Sequence, residues 1–257
     1  MSKSSSKKSI FSNPIIRKMK KMEGVYEGDC ATYKGIFLKS LYFFAMVIVG
    51  VVLAFALANS FLTSSTVLFA AYGISIVLML VCGIVAGIAP KTTPVTGTLS
   101  ALAMGYAVSF TGVLMPEYSS IYYLAMVLTL AIVLAMMFVY FSGIVKVTDN
   151  FRKVLYTVLL ASIIGSLLLV VCSFIPATRI ATMLFLTNPV VAILISAVDI
   201  ILASLFLLID FNDIERTVEA RLPKAYEWVA SFSLVITVVW LYLEILDLLL
   251  KIKDMVD

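Results

Sequence analysis

Residues 188–215, NPVVAILISAVDIILASLFLLIDFNDIE, and residues 227–251, EWVASFSLVITVVWLYLEILDLLLK, are two long apolar stretches that also carry carboxylates. Their length and hydrophobicity predict two membrane-spanning helices joined as a hairpin. A charged side chain at mid-bilayer depth costs roughly 2.5–3.5 kcal/mol on insertion scales. At that cost, five acidic residues of the hairpin require an explanation: Asp199, Asp210, Asp213, Glu244 and Asp247.

The spacing of these acids places them on shared helix faces. Asp199 and Asp210 are eleven residues apart, so they lie on one face about 16 Å apart along the axis. Asp210 and Asp213 are three residues apart and therefore adjacent on the helix surface. Glu244 and Asp247 have the same spacing. Because only one lysine falls within a predicted span, most of these acids have no cation in the membrane, and they are candidates for proton sharing or cation binding.

Composition indicates the class of protein. The chain of 257 residues is 62% hydrophobic and 13% charged, with a mean hydropathy of +1.10, which is typical of a polytopic membrane protein. The formal net charge of +4 is concentrated near the N-terminus and indicates orientation rather than nucleic-acid binding. The absence of histidine leaves proton chemistry to carboxylates. The three cysteines lack a metal-type spacing, so we expect them to pack as small apolar side chains. We also expect no resident cofactor.

Seven apolar segments each approach the ~20 residues that a helix needs to cross the hydrocarbon core. They cover residues 35–59, 67–88, 95–115, 121–145, 154–175, 190–211 and 229–250. The sequence therefore predicts an all-α polytopic membrane protein with seven transmembrane helices. We divide the chain into a basic cytoplasmic tail at 1–34, a seven-helix bundle at 35–251 and a short C-terminal tail at 252–257. The first of these holds no apolar core long enough for a cleavable signal peptide.

The distribution of Lys and Arg predicts the orientation. With the N-terminus inside, cytoplasmic segments hold 15 basic residues and outside segments hold three, while Lys39 lies in the first span. The positive-inside rule then favours a cytoplasmic N-terminus and an extracytoplasmic C-terminus in the plasma membrane. An even number of spans would place the C-terminal lysines inside too, so this count leaves six spans open.

The last hairpin resembles a known family. LLIDFNDIE (207–215) and VVWLYLEILDLLL (238–250) are similar to the closing helices of the Bax inhibitor family, also called the transmembrane BAX-inhibitor-motif family. Three further stretches support the resemblance: SNPIIRKM (12–19), ATYKGIFLKS (31–40) and GIVKVTDNFRKV (143–154). The resemblance covers nearly the whole chain and is closest to the bacterial YccA-like branch.

The resemblance implies a fold, a site and an activity. It implies six helices packed around a central C-terminal helix, with two membrane-embedded acids on the last two helices sharing a proton. By motif position these acids are Asp210 and Glu244, which would act as a pH sensor and as candidate Ca²⁺ ligands. Family members studied as channels leak Ca²⁺ in a pH-dependent way. A basic partner at the end of the second span occurs in some relatives, and Lys91 is the nearest candidate here.

Helix length leaves two pairings open. Counted from the ends of their apolar cores, Asp210 lies about 30 Å from one membrane face and Glu244 about 22 Å from the other, which keeps straight helices from pairing them. Either both helices extend beyond their cores and turn near Pro223, or Glu244 faces Asp199 instead. We expect Asp247 near the outer edge. A solvated extension would hold the remaining acids beside two arginines: Asp213, Glu215 and Glu219 beside Arg216 and Arg221.

These observations give two functional hypotheses. The first is a pH-sensitive cation leak, most simply for Ca²⁺, that is gated by proton sharing between the embedded carboxylates Asp210 and Glu244. Asp199 would be a further acid of the pathway. The secondary residues are Asp213, Asp247 and Lys91. The second is a regulatory membrane protein that binds a membrane AAA protease or other membrane partners through its basic tail. We expect no enzymatic activity, because histidine and the GxGD motif of intramembrane aspartyl proteases are both absent.

Overall fold

The chain folds into a bundle of helices in the computed structural model, which describes residues 29–59 and 65–256. The helices in this part of the chain are α1 (Tyr33–Ala58), α2 (Ser65–Ile88), α3 (Thr93–Leu114), α4 (Ser119–Phe141), α5 (Asp149–Phe174), α6 (Pro176–Leu186), α7 (Pro189–Glu219) and α8 (Ala225–Val256), with a 3₁₀ turn before α4 at Pro116–Tyr118. Seven of them are long and apolar enough to cross a membrane. The exception is α6, which has only 11 residues. The predicted all-α fold with seven membrane-spanning helices is therefore confirmed.

Connections alternate between the two ends of the bundle. We call the end at which α1, α3, α5 and α8 begin the basic end, because Lys91, Lys146, Lys153 and Lys224 all lie in or beside its connections. The other end is called the opposite end. Asn188 caps α7 there, since its side chain accepts hydrogen bonds from the backbone N–H groups of Val190 and Val191 at 3.0 and 3.2 Å.

The helices of the last hairpin extend beyond their apolar cores. The predicted spans 190–211 and 229–250 lie inside the longer helices α7 and α8. The turn between them contains Arg221, which has a φ of 48°, a left-handed conformation of the kind that commonly ends a helix. Both helices therefore project past the apolar segments and turn near Pro223. This is the helix extension that a pairing of Asp210 with Glu244 would need.

Both predicted tail boundaries shift. Residues 29–34 belong to the bundle, because Ala31 N–H donates to the Leu222 carbonyl at 2.8 Å and Lys224 N–H donates to the Asp29 carbonyl at 3.1 Å. At the other terminus, α8 continues through most of the predicted tail 252–257 and ends at Val256. Residues 1–28 of the basic tail lie outside the described residues.

Helix α8 occupies the centre of the bundle, as the family resemblance implied. It contacts α1, α2, α3, α4 and α7. Phe232 and Val235 of α8 are buried against Phe43 of α1 and Ala101 of α3. On its other side, Leu241 is buried against Leu207 of α7 and Ala125 of α4. Because α8 has neighbours on several faces, polar side chains on it are shielded from lipid by the surrounding helices.

Helices α1 and α3 approach each other closely at two glycines. A Cβ added to Gly50 would lie 2.2 Å from the carbonyl oxygen of Leu102, and one added to Gly105 would lie 1.9 Å from that of Val47. Only a hydrogen fits at both positions, so the backbones of the two helices touch. This contact fixes the wall of the bundle against which α8 packs.

Candidate functional site

Two side-chain contacts fix the register of the last hairpin. Ser233 Oγ on α8 donates to Asp210 Oδ1 on α7 at 2.7 Å. Ser196 Oγ on α7 donates to Asp247 Oδ2 on α8 at 2.7 Å. Both contacts fit one antiparallel register, in which each step toward the end of α7 is matched by one step toward the start of α8. In that register, Asp199 lies at the same level as Glu244.

Asp210 is an incompletely satisfied buried acid. It is 5% exposed, and its Oδ1 accepts the hydrogen bond from Ser233, whereas its Oδ2 has no hydrogen-bond partner among the described residues. Thr237 faces the same carboxyl from the next turn of α8, but its hydroxyl donates to the Ser233 carbonyl at 3.2 Å. Since a buried carboxylate normally needs several donors, this oxygen is a natural site for a proton.

A second group of acids lies toward the opposite end. Asp247 accepts hydrogen bonds from Ser196 and from Lys251, the latter at 2.5 Å. Glu244 accepts a hydrogen bond from Trp240 Nε1 at 2.8 Å. The charges of Asp199 and Asp247 both act on Glu244. Lys251 pairs with Asp247, and its charge also acts on Asp199 and Glu244. We call the three carboxylates Asp199, Glu244 and Asp247 the acidic mouth.

The expected pairing of Asp210 with Glu244 is wrong for this conformation. Asp210 is level with Ser233, and eleven helical residues separate Ser233 from Glu244, which is about 16 Å. The extended helices do not remove this distance, because the turn near Pro223 sets the register. Asp210 and Glu244 therefore cannot share one proton or one Ca²⁺ ion here. The other expectation, that Glu244 faces Asp199, agrees with the register.

Among the described residues, no group of three Asp, Glu or Cys side chains is arranged to hold a metal ion.

Comparison with models of known protein families identifies the family of this chain. A family model described as Bax inhibitor 1 like matches residues 8–254. The chain belongs to this family. The resemblance noted in the last hairpin is thereby confirmed, while its YccA-like branch remains a prediction. No curated protein and no solved structure matches the chain.

In this Bax inhibitor 1-like protein, Arg152 of α5 contacts the two polar residues that follow Asp210 on α7. Arg152 is 5% exposed, its Nη2 donates to Asn212 Oδ1 at 2.6 Å, and its Nη1 lies 2.6 Å from Asp213 Oδ1. Its charge also acts on Asp210. The expected partner Lys91 lies elsewhere, in the α2–α3 connection. That expectation is therefore wrong, and α5 rather than the end of α2 supplies the cation.

Asp213 and Glu215 lie on the expected helix extension, but they are only partly exposed and contact other helices. Asp213 is engaged by Arg152, and the Tyr140 hydroxyl of α4 donates to Glu215 Oε2. Asn212 Nδ2 in turn donates to the Tyr140 hydroxyl at 3.1 Å. Side chains from α4, α5 and α7 thus form one polar network directly beside Asp210. Glu219, further along, is exposed as expected.

Sequence reasoning also missed the most buried ion pair in the described part of the chain. Glu227 is 0% exposed, and its carboxylate pairs with Lys39 of α1. Thr32 donates to Glu227 Oε1 from its backbone N–H at 2.8 Å and from its hydroxyl at 3.1 Å. The signal was present, because Lys39 was the only basic residue inside a predicted span and required an acid. In this family member, the pair ties the start of α1 to the start of the central helix.

Proposed function

We propose that this Bax inhibitor 1-like protein is a proton-regulated cation leak pathway of a bacterial plasma membrane, with Ca²⁺ as its ion and without enzymatic activity. The observation that carries the proposal is Asp210, which is buried and whose Oδ2 has no hydrogen-bond partner within residues 29–59 and 65–256. An ionisable group in this position is expensive to maintain and marks ion or proton pathways in membrane proteins. The family membership supports the same class of function.

The acidic mouth would attract cations at the opposite end of the bundle. Asp199, Glu244 and Asp247 supply the oxygen ligands that hard divalent cations prefer. Between this mouth and Asp210 lies an apolar layer, because Leu207 of α7 and Leu241 of α8 fall between the two levels and are both fully buried. A hydrated ion does not pass a dry layer of this kind. The conformation described here therefore corresponds to a closed pathway.

Protonation of Asp210 would keep the pathway closed. The neutral acid tolerates burial with a single hydrogen-bond donor, whereas the ionised acid requires further donors or water. Deprotonation would therefore draw water toward Asp210 and loosen α7 from α8 at the apolar layer. The expected sign is a cation flux that rises with pH.

The test is Ca²⁺ flux into proteoliposomes between about pH 6 and about pH 8. Wild-type protein should give a flux that rises with pH. Asp210→Asn, which mimics the protonated acid, should give a low flux at every pH. Glu244→Gln should reduce the flux about uniformly, because it removes one charge from the mouth and leaves Asp210 intact. Glu219→Gln is the control, since Glu219 is exposed on the same helix.

Two outcomes would reject this mechanism. A pH response that persists in Asp210→Asn would remove Asp210 from the gate. The absence of Ca²⁺ flux at any pH would reject the channel and favour the regulatory alternative, in which the basic tail binds a membrane AAA protease or another membrane partner. Deleting residues 1–28 would then test for loss of that partner without removing the contacts of Asp29 and Ala31.

A further inference from the structure

A concavity of about 560 Å³ opens at the basic end, away from the acids of the last hairpin. Its wall combines three lysines with apolar side chains: Lys39, Lys91 and Lys224 with Pro90, Pro94 and Trp228. The lysines come from α1, from the α2–α3 connection and from the α7–α8 turn. We call this feature the three-lysine concavity, and nothing in the proposed leak pathway uses it.

Positive charge in the three-lysine concavity is only partly compensated. Glu227 pairs with Lys39 and neutralises it. Lys224 lies 3.5 Å from Asp29, but the two side chains are 61% and 85% exposed, and an exposed pair of this kind contributes little. Lys91 is exposed and forms no ion pair with any residue in 29–59 or 65–256. Two lysines are therefore available for an anion.

Trp228 gives the concavity a fixed apolar surface. Its ring makes edge contacts with Tyr42 and Phe43, with centroids 5.7 Å away in both cases. Lys39 Nζ lies 5.1 Å from the ring centroid, in a cation–π contact. Because several neighbours hold the ring, this surface is formed before any ligand arrives.

The surface beside the concavity continues into the lipid-facing part of the bundle. Ile88, at the end of α2, and Val95, in the first turn of α3, are both 67% exposed. Ile88 ends the apolar span of α2, and Val95 lies near the start of the apolar span of α3. A ligand that places an anionic group between Lys91 and Lys224 would thus have apolar surface next to it for hydrocarbon chains.

We propose that the three-lysine concavity binds the phosphate headgroup of an anionic phospholipid from the adjacent leaflet. Lysine ammonium groups at a membrane surface attract anionic lipid, by about 1 kcal/mol for each residue. Tryptophan and lysine are also the residues that favour the headgroup layer. A soluble phosphate would match the lysines and leave the apolar wall unused, whereas a phospholipid matches both.

Quenching of Trp228 by brominated lipid tests this proposal locally. The chain contains two tryptophans, so Trp228 is the only tryptophan left in a Trp240→Phe variant. This full-length protein is reconstituted with brominated phosphatidylglycerol or brominated phosphatidylcholine in otherwise identical bilayers. We expect at least a several-fold stronger quenching constant for the anionic lipid.

Matched lysine variants then assign the preference to the concavity. Lys91→Gln with Lys224→Gln should reduce the quenching constant for the anionic lipid to that for the neutral lipid. Both side chains are exposed, so the substitutions leave the buried Lys39–Glu227 pair intact. Lys146→Gln with Lys153→Gln is the control, because it removes two exposed lysines from the same end of the bundle and should preserve the preference.

Three results would overturn the proposal. The first is equal quenching by the two lipids in the Trp240→Phe background. The second is an equal loss of preference in the control pair, which would indicate a general surface charge effect. The third is loss of the preference on addition of millimolar inorganic phosphate, which would assign the site to a soluble anion.

Discussion

At the scale of single residues, Glu227 is the most deeply buried acid in the described part of the chain. It is fully buried, and its partner Lys39 has a side chain that is only 15% exposed. Glu227→Ala leaves that cation without an acid and also leaves the Thr32 donors unpaired. Breaking a buried ion pair in this way lowers the free energy of unfolding by about 3–5 kcal/mol. Thermal unfolding in detergent micelles would measure the loss.

A double variant separates the ion pair from side-chain packing. Lys39→Met with Glu227→Leu removes both charges and should recover most of the stability lost in Glu227→Ala, because neither charge is then buried alone. Lys224→Met removes the exposed pair with Asp29 and should change the free energy of unfolding by less than about 1 kcal/mol. Equal losses in Glu227→Ala and Lys224→Met would contradict the importance assigned to the buried pair.

The residues of the hairpin show what sequence can and cannot predict about a site. Asp210 is identifiable from sequence because a carboxylate within an apolar span is costly. Its hydrogen-bond donor Ser233 is not, because antiparallel register depends on the length of the turn at 220–224. Arg152 lies just outside the predicted span 154–175, and apolar periodicity does not reveal that it contacts Asn212 and Asp213.

At the scale of helices, the α1–α3 contact depends on the absence of a side chain at Gly105. An alanine Cβ there would lie 1.9 Å from the Val47 carbonyl oxygen, and backbone atoms of packed helices cannot move away cheaply. We expect Gly105→Ala to lower the free energy of unfolding by about 1–3 kcal/mol, as overpacking does. Thermal unfolding in detergent would again give the value.

Gly165 of α5 supplies the matched control. A Cβ added to Gly165 meets no atom within 4 Å, so the substitution changes helix propensity alone. Gly165→Ala should therefore leave the free energy of unfolding unchanged or raise it by up to about 1 kcal/mol. If both alanine variants raised stability, the close approach of α1 and α3 would be refuted. Sequence predicted the helices themselves from length and hydropathy, whereas this contact requires knowing which glycines face a neighbour.

At the scale of the whole molecule, the two ends of the bundle differ in charge. Among the described residues outside the predicted apolar segments, the opposite end carries Arg179, Lys251 and Lys253, whereas the other Lys and Arg side chains lie at the basic end. The positive-inside rule therefore favours a cytoplasmic basic end. That orientation would direct the acidic mouth toward the outside and the three-lysine concavity toward the cytoplasmic leaflet, where anionic lipids are enriched.

Helix α4 offers a matched pair of positions for testing this orientation. Ser120 and Ser142 are both exposed and lie at its two ends, Ser120 at the opposite end and Ser142 at the basic end. In a background with the three native cysteines replaced by alanine, a membrane-impermeant thiol reagent should label Ser120→Cys in intact cells. Ser142→Cys should react only after permeabilisation. The reverse pattern would place the acidic mouth in the cytoplasm, and a cation leak gated from Asp210 would then have to load its ion from inside.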